Sequence, residues 1–84
     1  MRIKEGFELI NRDGQHWVTA LGNPSKDFAV SEYSAFLWNL LKKKEVTKSQ
    51  MLDSLLSEFD ISTVLALGEI DNFLRMMREN EVIE

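Results

Sequence analysis

Val30-Ser31-Glu32-Tyr33-Ser34-Ala35-Phe36-Leu37-Trp38-Asn39-Leu40-Leu41 is the stretch whose reading decides the fold. A short apolar run ends at Val30, and a residue able to cap a helix follows at once. After Ser31 the apolar side chains fall at Tyr33, Phe36, Leu37, Leu40 and Leu41, which share one face at about 100° per residue. Ser31 is the natural N-cap, because its hydroxyl can accept a hydrogen bond from an orphaned backbone N–H. Glu32 suits the positive end of the helix dipole, and Lys42, Lys43 and Lys44 suit the negative end. Trp38 falls on a flank of the stripe, so the helix is expected to pack on two surfaces. Something extended ends at Val30, and a helical half begins.

Upstream, residues 7–11 read as a strand, and Asp13-Gly14 supplies the left-handed conformations of a two-residue type I′ hairpin. With those two as the loop, Arg12 opposes Gln15, Asn11 opposes His16, Ile10 opposes Trp17, Leu9 opposes Val18 and Phe7 opposes Ala20. This register puts Phe7, Leu9, Val18 and Ala20 on the core face. The outer face carries Glu8, Ile10, Arg12, Gln15, Trp17 and Thr19, and the N-terminal segment is a candidate cover for its Ile10–Trp17 pair. A slip of one residue would scramble that division. Residues 22–26 then read as a loop of turn formers, and Asp27-Phe28-Ala29-Val30 as a short third strand at the edge of the sheet, with Phe28 and Val30 inward.

Downstream, Thr47 and Gln50 make a capping box, and Val46 with Met51 a hydrophobic staple, for a second helix at 48–58. Its inward side chains are Met51, Leu52, Leu55, Leu56 and Phe59. Ser62 or Asp60 can cap a third helix at 63–79, whose inward stripe is Ala66, Leu67, Ile70, Phe73, Leu74 and Met77. Leu65 and Met76 fall outside that stripe, beside Glu69 and Asn72. Asn80 is placed to take the left-handed position after the helix, and Val82-Ile83 returns to the core. The fold class is therefore α+β, a three-stranded antiparallel sheet followed by a three-helix bundle.

The chain has 84 residues, enough for one domain covering 1–84. A chain of this size buries only about 60–65% of its unfolded surface. It has no cysteine, which removes disulfides, thiolate nucleophiles and thiolate metal ligands, and fits a reducing cytoplasm. No stretch approaches the ~20 apolar residues that span a bilayer, and the first residues lack the apolar run of a signal peptide. A net charge of −4 argues against a nucleic-acid surface, since phosphate contact needs clustered Lys and Arg.

Little in the chain suits catalysis. His16 is the single histidine and sits near a hairpin tip, where an ordinary strand residue is the simpler reading. Gly6, Gly14, Gly22 and Gly68 stand alone and fit neither a phosphate loop nor a dinucleotide fingerprint. Asp53, Glu58 and Asp60 lack calcium-loop spacing and read as a solvated helix end. The expectation is a protein without enzymatic activity, cofactor or metal.

The order of elements and several residues resemble the PqqD family, the pyrroloquinoline quinone biosynthesis protein D and its relatives. Members commonly carry a run like Leu-Asn-x-Thr-x-x-x-Ile/Leu-Trp-x-Leu-Leu, which Val30 to Leu41 resembles, with Ser31 in place of Asn and Tyr33 in place of Thr. Glu58-Phe59-Asp60-Ile61 looks like the family's acidic-aromatic-Asp-Val turn. Glu69-Ile70-Asp71-Asn72-Phe73-Leu74-Arg75-Met76-Met77 is similar to Asp-Val-x-x-Phe-Leu-x-x-Leu, and Val82-Ile83 to the close of Gly-Leu-Leu/Ile, with Glu81 where the glycine stands.

The resemblance implies a winged-helix-like, non-catalytic peptide-binding domain. Such recognition elements hold the leader of a ribosomally made precursor peptide and present it to a modifying enzyme, often a radical SAM maturase. The leader adds as a strand, which gives affinity through backbone pairing and specificity through side-chain pockets. The implied edge is Asp27, Phe28, Ala29 and Val30, and the implied pocket wall Leu65, Glu69, Asn72, Phe73 and Met76. Two rivals come from other classes. A winged-helix DNA reader would use the third helix, but Arg75 and Arg78 there face Glu69, Asp71 and Glu79, the wrong balance for phosphate. A structural homodimer would pair the same edge with a second copy.

Overall fold

Asp13 and Gly14 close the first hairpin with positive φ values of 55° and 80°, the pair a type I′ loop requires. From that turn the register runs as read from the sequence, Arg12 against Gln15 through Phe7 against Ala20. The computed structural model describes residues 1–83, with the backbone alone at Pro24. Its elements are β1 (Phe7–Arg12), β2 (Gln15–Ala20), β3 (Asn23–Val30), α1 (Glu32–Lys43), α2 (Lys48–Glu58) and α3 (Thr63–Glu79). The sheet is antiparallel in the order β1-β2-β3, so the α+β architecture of sheet followed by three helices is as expected.

The third strand is longer than its sequence suggested. The expected loop at 22–26 shrinks to a turn at Leu21-Gly22, where Gly22 has φ 83° and the Leu21 N–H donates to the Gly6 carbonyl at 2.8 Å. Pairing resumes at Ala20 with Asn23, beyond a register shift between Val18 and Ala20. Pro24 lacks an N–H, which an edge strand tolerates because one of its sides is unpaired.

Ser31 caps α1 as read, accepting from the Ser34 N–H at 3.1 Å. The buried face of α1 is rotated from the stripe in the sequence. Ser34, Ala35, Leu37, Trp38 and Leu41 are buried, while Tyr33, Phe36 and Leu40 are half-buried. Two contacts divide the helix. Trp38, 2% exposed, belongs to the central core. Tyr33 and Phe36 meet Phe59 edge-on, with centroids 4.8 and 5.5 Å apart. The sequence stripe averaged these two surfaces.

The capping box at Thr47 and Gln50 forms, with bonds of 2.8 and 3.2 Å, and Ser62 caps α3 by accepting from the Leu65 N–H. Along α2 only Met51 and Leu55 are fully buried, and Leu56 is exposed. On α3, Leu67 is likewise exposed, whereas Ala66, Ile70, Phe73, Leu74 and Met77 are buried. Both corrected residues lie at the border of their stripe, which a packed neighbour covers less completely than its centre.

The end of α3 forms a Schellman closure one residue later than expected. The Val82 N–H donates to Met77 O at 2.8 Å and the Glu81 N–H to Arg78 O at 3.0 Å. Glu81, not Asn80, takes the left-handed conformation, with φ 56°. Asn80 caps the helix with φ −97°. The turn directs Val82 and Ile83 into the core, where Ile83 bridges Ile3 and the Lys4 N–H donates to Val82 O at 2.7 Å. The N-terminal segment is thereby tied to the chain end rather than laid over the Ile10–Trp17 pair.

Candidate functional site

Among the described residues β3 pairs only with β2, so its outer side is a free edge eight residues long. Unpaired N–H and C=O groups along such an edge are a template for another strand. Register fixes which way its side chains face. Phe28 opposes Val18 and Val30 opposes His16 on the core side, while Ala29 opposes Trp17 on the outer side. Val30 is buried, Asp27 and Phe28 are half-buried and Ala29 is exposed.

The edge is braced from the outer face of the sheet. Arg12 on β1 reaches over Trp17, 5.3 Å from its ring centroid, and donates to Asp27 Oδ2 on β3 at 3.0 Å. The neighbouring Thr19 hydroxyl and then the Arg12 guanidinium hold the Asp27 carboxyl below the ordinary carboxylate range. At the end of β3, the Gln15 amide donates to Val30 O at 3.1 Å. These contacts tie the edge strand to β1 and β2 without using its outer side.

The flank of α3 is set by helical phase. Leu65, Glu69, Asn72 and Met76 recur at spacings of three and four and share one stripe. Lys48 at the start of α2 pairs with Asp71 at 2.6 Å, which puts α2 against the other side of α3. Leu65 is exposed, and Glu69, Asn72 and Met76 are half-buried. The Asn72 amide donates to Met76 Sδ at 3.6 Å, and its oxygen accepts from Arg75. Phe73 is a correction to the expected wall. It is 0% exposed, because it shares the phase of Ile70 and Met77, and it belongs to the core.

Two shallow depressions lie elsewhere. One of about 240 Å³ is lined by the N-terminal segment and the end of α1, and one of about 340 Å³ by Phe36, Asp53, Ser54, Ser57 and Glu58. Neither includes a residue of β3 or α3. The residues that sequence reading missed are Asn23 to Lys26, which lengthen the edge; their turn-forming composition hid them. Arg75 also pairs with Glu79 at 3.4 Å, so one of the two cations a DNA-reading helix would offer is already engaged. Among the described residues no three His, Asp or Glu side chains come together as a metal site, and no helix is long and apolar enough to cross a membrane.

A family model described as "Coenzyme PQQ synthesis protein D (PqqD)" matches residues 19–83. The chain belongs to the PqqD family. The matched region runs from β2 to Ile83 and takes in β3, all three helices and every residue of the expected site. No curated protein matches this PqqD-family chain. Among solved structures it is similar to "TbiB1 in Complex with the TbiA(beta) Leader Peptide", with a TM-score of 0.76 at 18% identity over 100% of this chain and 95% of that one. At that identity the likeness establishes the fold, the same sheet-then-helices arrangement.

Proposed function

We propose that this chain is a non-catalytic recognition element. It holds the leader segment of a ribosomally made precursor peptide as a strand added to β3, and presents it to a modifying enzyme such as a radical SAM maturase. The observation that carries this reading is the free, braced edge of β3 in a member of the PqqD family. The protein of like fold, TbiB1, is in complex with a leader peptide, which supports the same use of the fold here. Backbone pairing along the edge supplies affinity, and the Leu65, Glu69, Asn72 and Met76 flank of α3 supplies side-chain selection. The work is done in the cytoplasm, where precursor peptide and enzyme meet.

The test uses the leader peptide of any short precursor gene found beside this chain's own. Met76→Glu, at a half-buried position on the border of the core, should set a carboxylate against an apolar ligand side chain, and circular dichroism checks that the variant is folded. Affinity should fall at least about tenfold, or ~1.4 kcal/mol. Arg78→Glu, on an exposed position of the same helix, should matter less. Amide shifts on adding peptide should gather at residues 23–30 and 65–76. Shifts on the Ile10–Trp17 face, or greater damage from Arg78→Glu, would refute the assignment. A doubled size-exclusion mass without peptide would favour the homodimer.

A further inference from the structure

Glu69 is the acid of α3 that has no cation. Asp71 pairs with Lys48 at 2.6 Å and Glu79 with Arg75 at 3.4 Å. Among the described residues no ion pair includes Glu69. Its helical neighbours three and four positions away are Leu65, Ala66, Asn72 and Phe73, and none can supply a positive charge. The residue is nonetheless half-buried, on the flank turned away from α2. Asn72 offers it no positive charge: one amide N–H goes to Met76 Sδ and the oxygen accepts from Arg75.

The spacing of the flank adds a second constraint. Leu65 and Glu69 are four residues apart, a rise of about 6 Å along a helix. Side chains on one face of a strand recur every two residues, about 6.8 Å. A strand lying along this flank therefore sets alternate side chains over Leu65 and Glu69 in turn.

We propose, resting on the reading that this flank receives an added strand, that Glu69 selects for a lysine or arginine in the bound peptide, two positions from an apolar side chain that covers Leu65. The basic head pairs with the Glu69 carboxylate while its methylene stem lies along the helix flank. An apolar residue alone would leave the carboxylate more buried and still unpaired, so the flank discriminates against uniformly apolar or acidic segments.

A random twelve-residue peptide library displayed on phage, selected on the full chain and on its Glu69→Gln and Glu69→Lys variants, tests this. The parent should enrich peptides with Lys or Arg two positions from Leu, Ile, Phe or Met. Glu69→Gln should lose the basic preference, and Glu69→Lys should replace it with Asp or Glu. A synthetic peptide from the parent selection should bind Glu69→Gln about tenfold more weakly, and replacing its basic residue by norleucine should cost no more in that variant. Peptides that Met76→Glu releases but that show no basic preference would overturn the role of Glu69 and leave the cleft standing. Enriched peptides indifferent to Met76→Glu, or no enrichment at all, would overturn the cleft and the Glu69 assignment together. Circular dichroism of each variant confirms that it is folded.

Discussion

Glu81 stands in a conformation that suits glycine. Its φ of 56° is set by the closure of α3, in which Val82 must reach back to Met77. A side chain in the left-handed region costs roughly 1–2 kcal/mol, while glycine's extra freedom in the unfolded chain offsets part of the relief. Glu81→Gly should therefore stabilise the fold by about 0.5–1 kcal/mol, read as a higher urea midpoint; a lower midpoint would mean that the Glu81 side chain makes a contact worth more than the strain. Trp38 is the opposite case, a large side chain 2% exposed where helix and core meet. Trp38→Ala should cost about 3–5 kcal/mol, which in so small a domain can abolish the cooperative unfolding transition. A midpoint equal to the parent's would contradict the burial.

At the scale of the element, β3 is an edge strand that packs on β2 and more lightly on α1. One side pairs with β2, and the Arg12–Asp27 bond crosses the outer face to hold it from β1. The Asp27 carboxyl is held below its ordinary value of 3.8 by Thr19 and Arg12. A lowered carboxylate pKa means stability that is complete above the unfolded value and is lost as pH falls through the folded one. The acid limb of the stability curve should therefore lie below pH 3.8 for this group, and Asp27→Asn should flatten it. An unchanged slope between the parent and Asp27→Asn, followed by urea titration across that range, would show that the brace contributes nothing. The free outer side of β3 is the complement of that brace: because the strand is steadied from the sheet face, its edge need not be covered to remain extended.

At the scale of the molecule, the chain ends close the core together. Ile3 is 7% exposed and bridges Ile83, and Val82 is completely buried. Deleting residues 1–4 should cost at least about 1.5–3 kcal/mol, the burial of one large aliphatic side chain, and should speed amide exchange at Val82 and Ile83; unchanged exchange there would show that the bridge is dispensable. Much of the remaining architecture was legible in the sequence because its causes are local. Asp13-Gly14 fixes a turn and therefore a register, Ser31, Thr47 and Ser62 cap the helices they precede, and the phase of α3 keeps Leu65 exposed and Met76 outside the core stripe. Those interactions span three or four residues, so the sequence by itself determined them. What it could not determine depended on neighbours distant along the chain. Asn23 joined the strand by pairing with Ala20 on β2, and Leu56 and Leu67 lie at borders that packed neighbours leave uncovered. Ile3 found Ile83, and α1 turned Trp38 and even the hydroxyl of Ser34 inward while Phe59 took its other flank. Hydrophobic periodicity names the residues that prefer burial, but burial is non-directional, so only the packed tertiary structure decides which of them receive it.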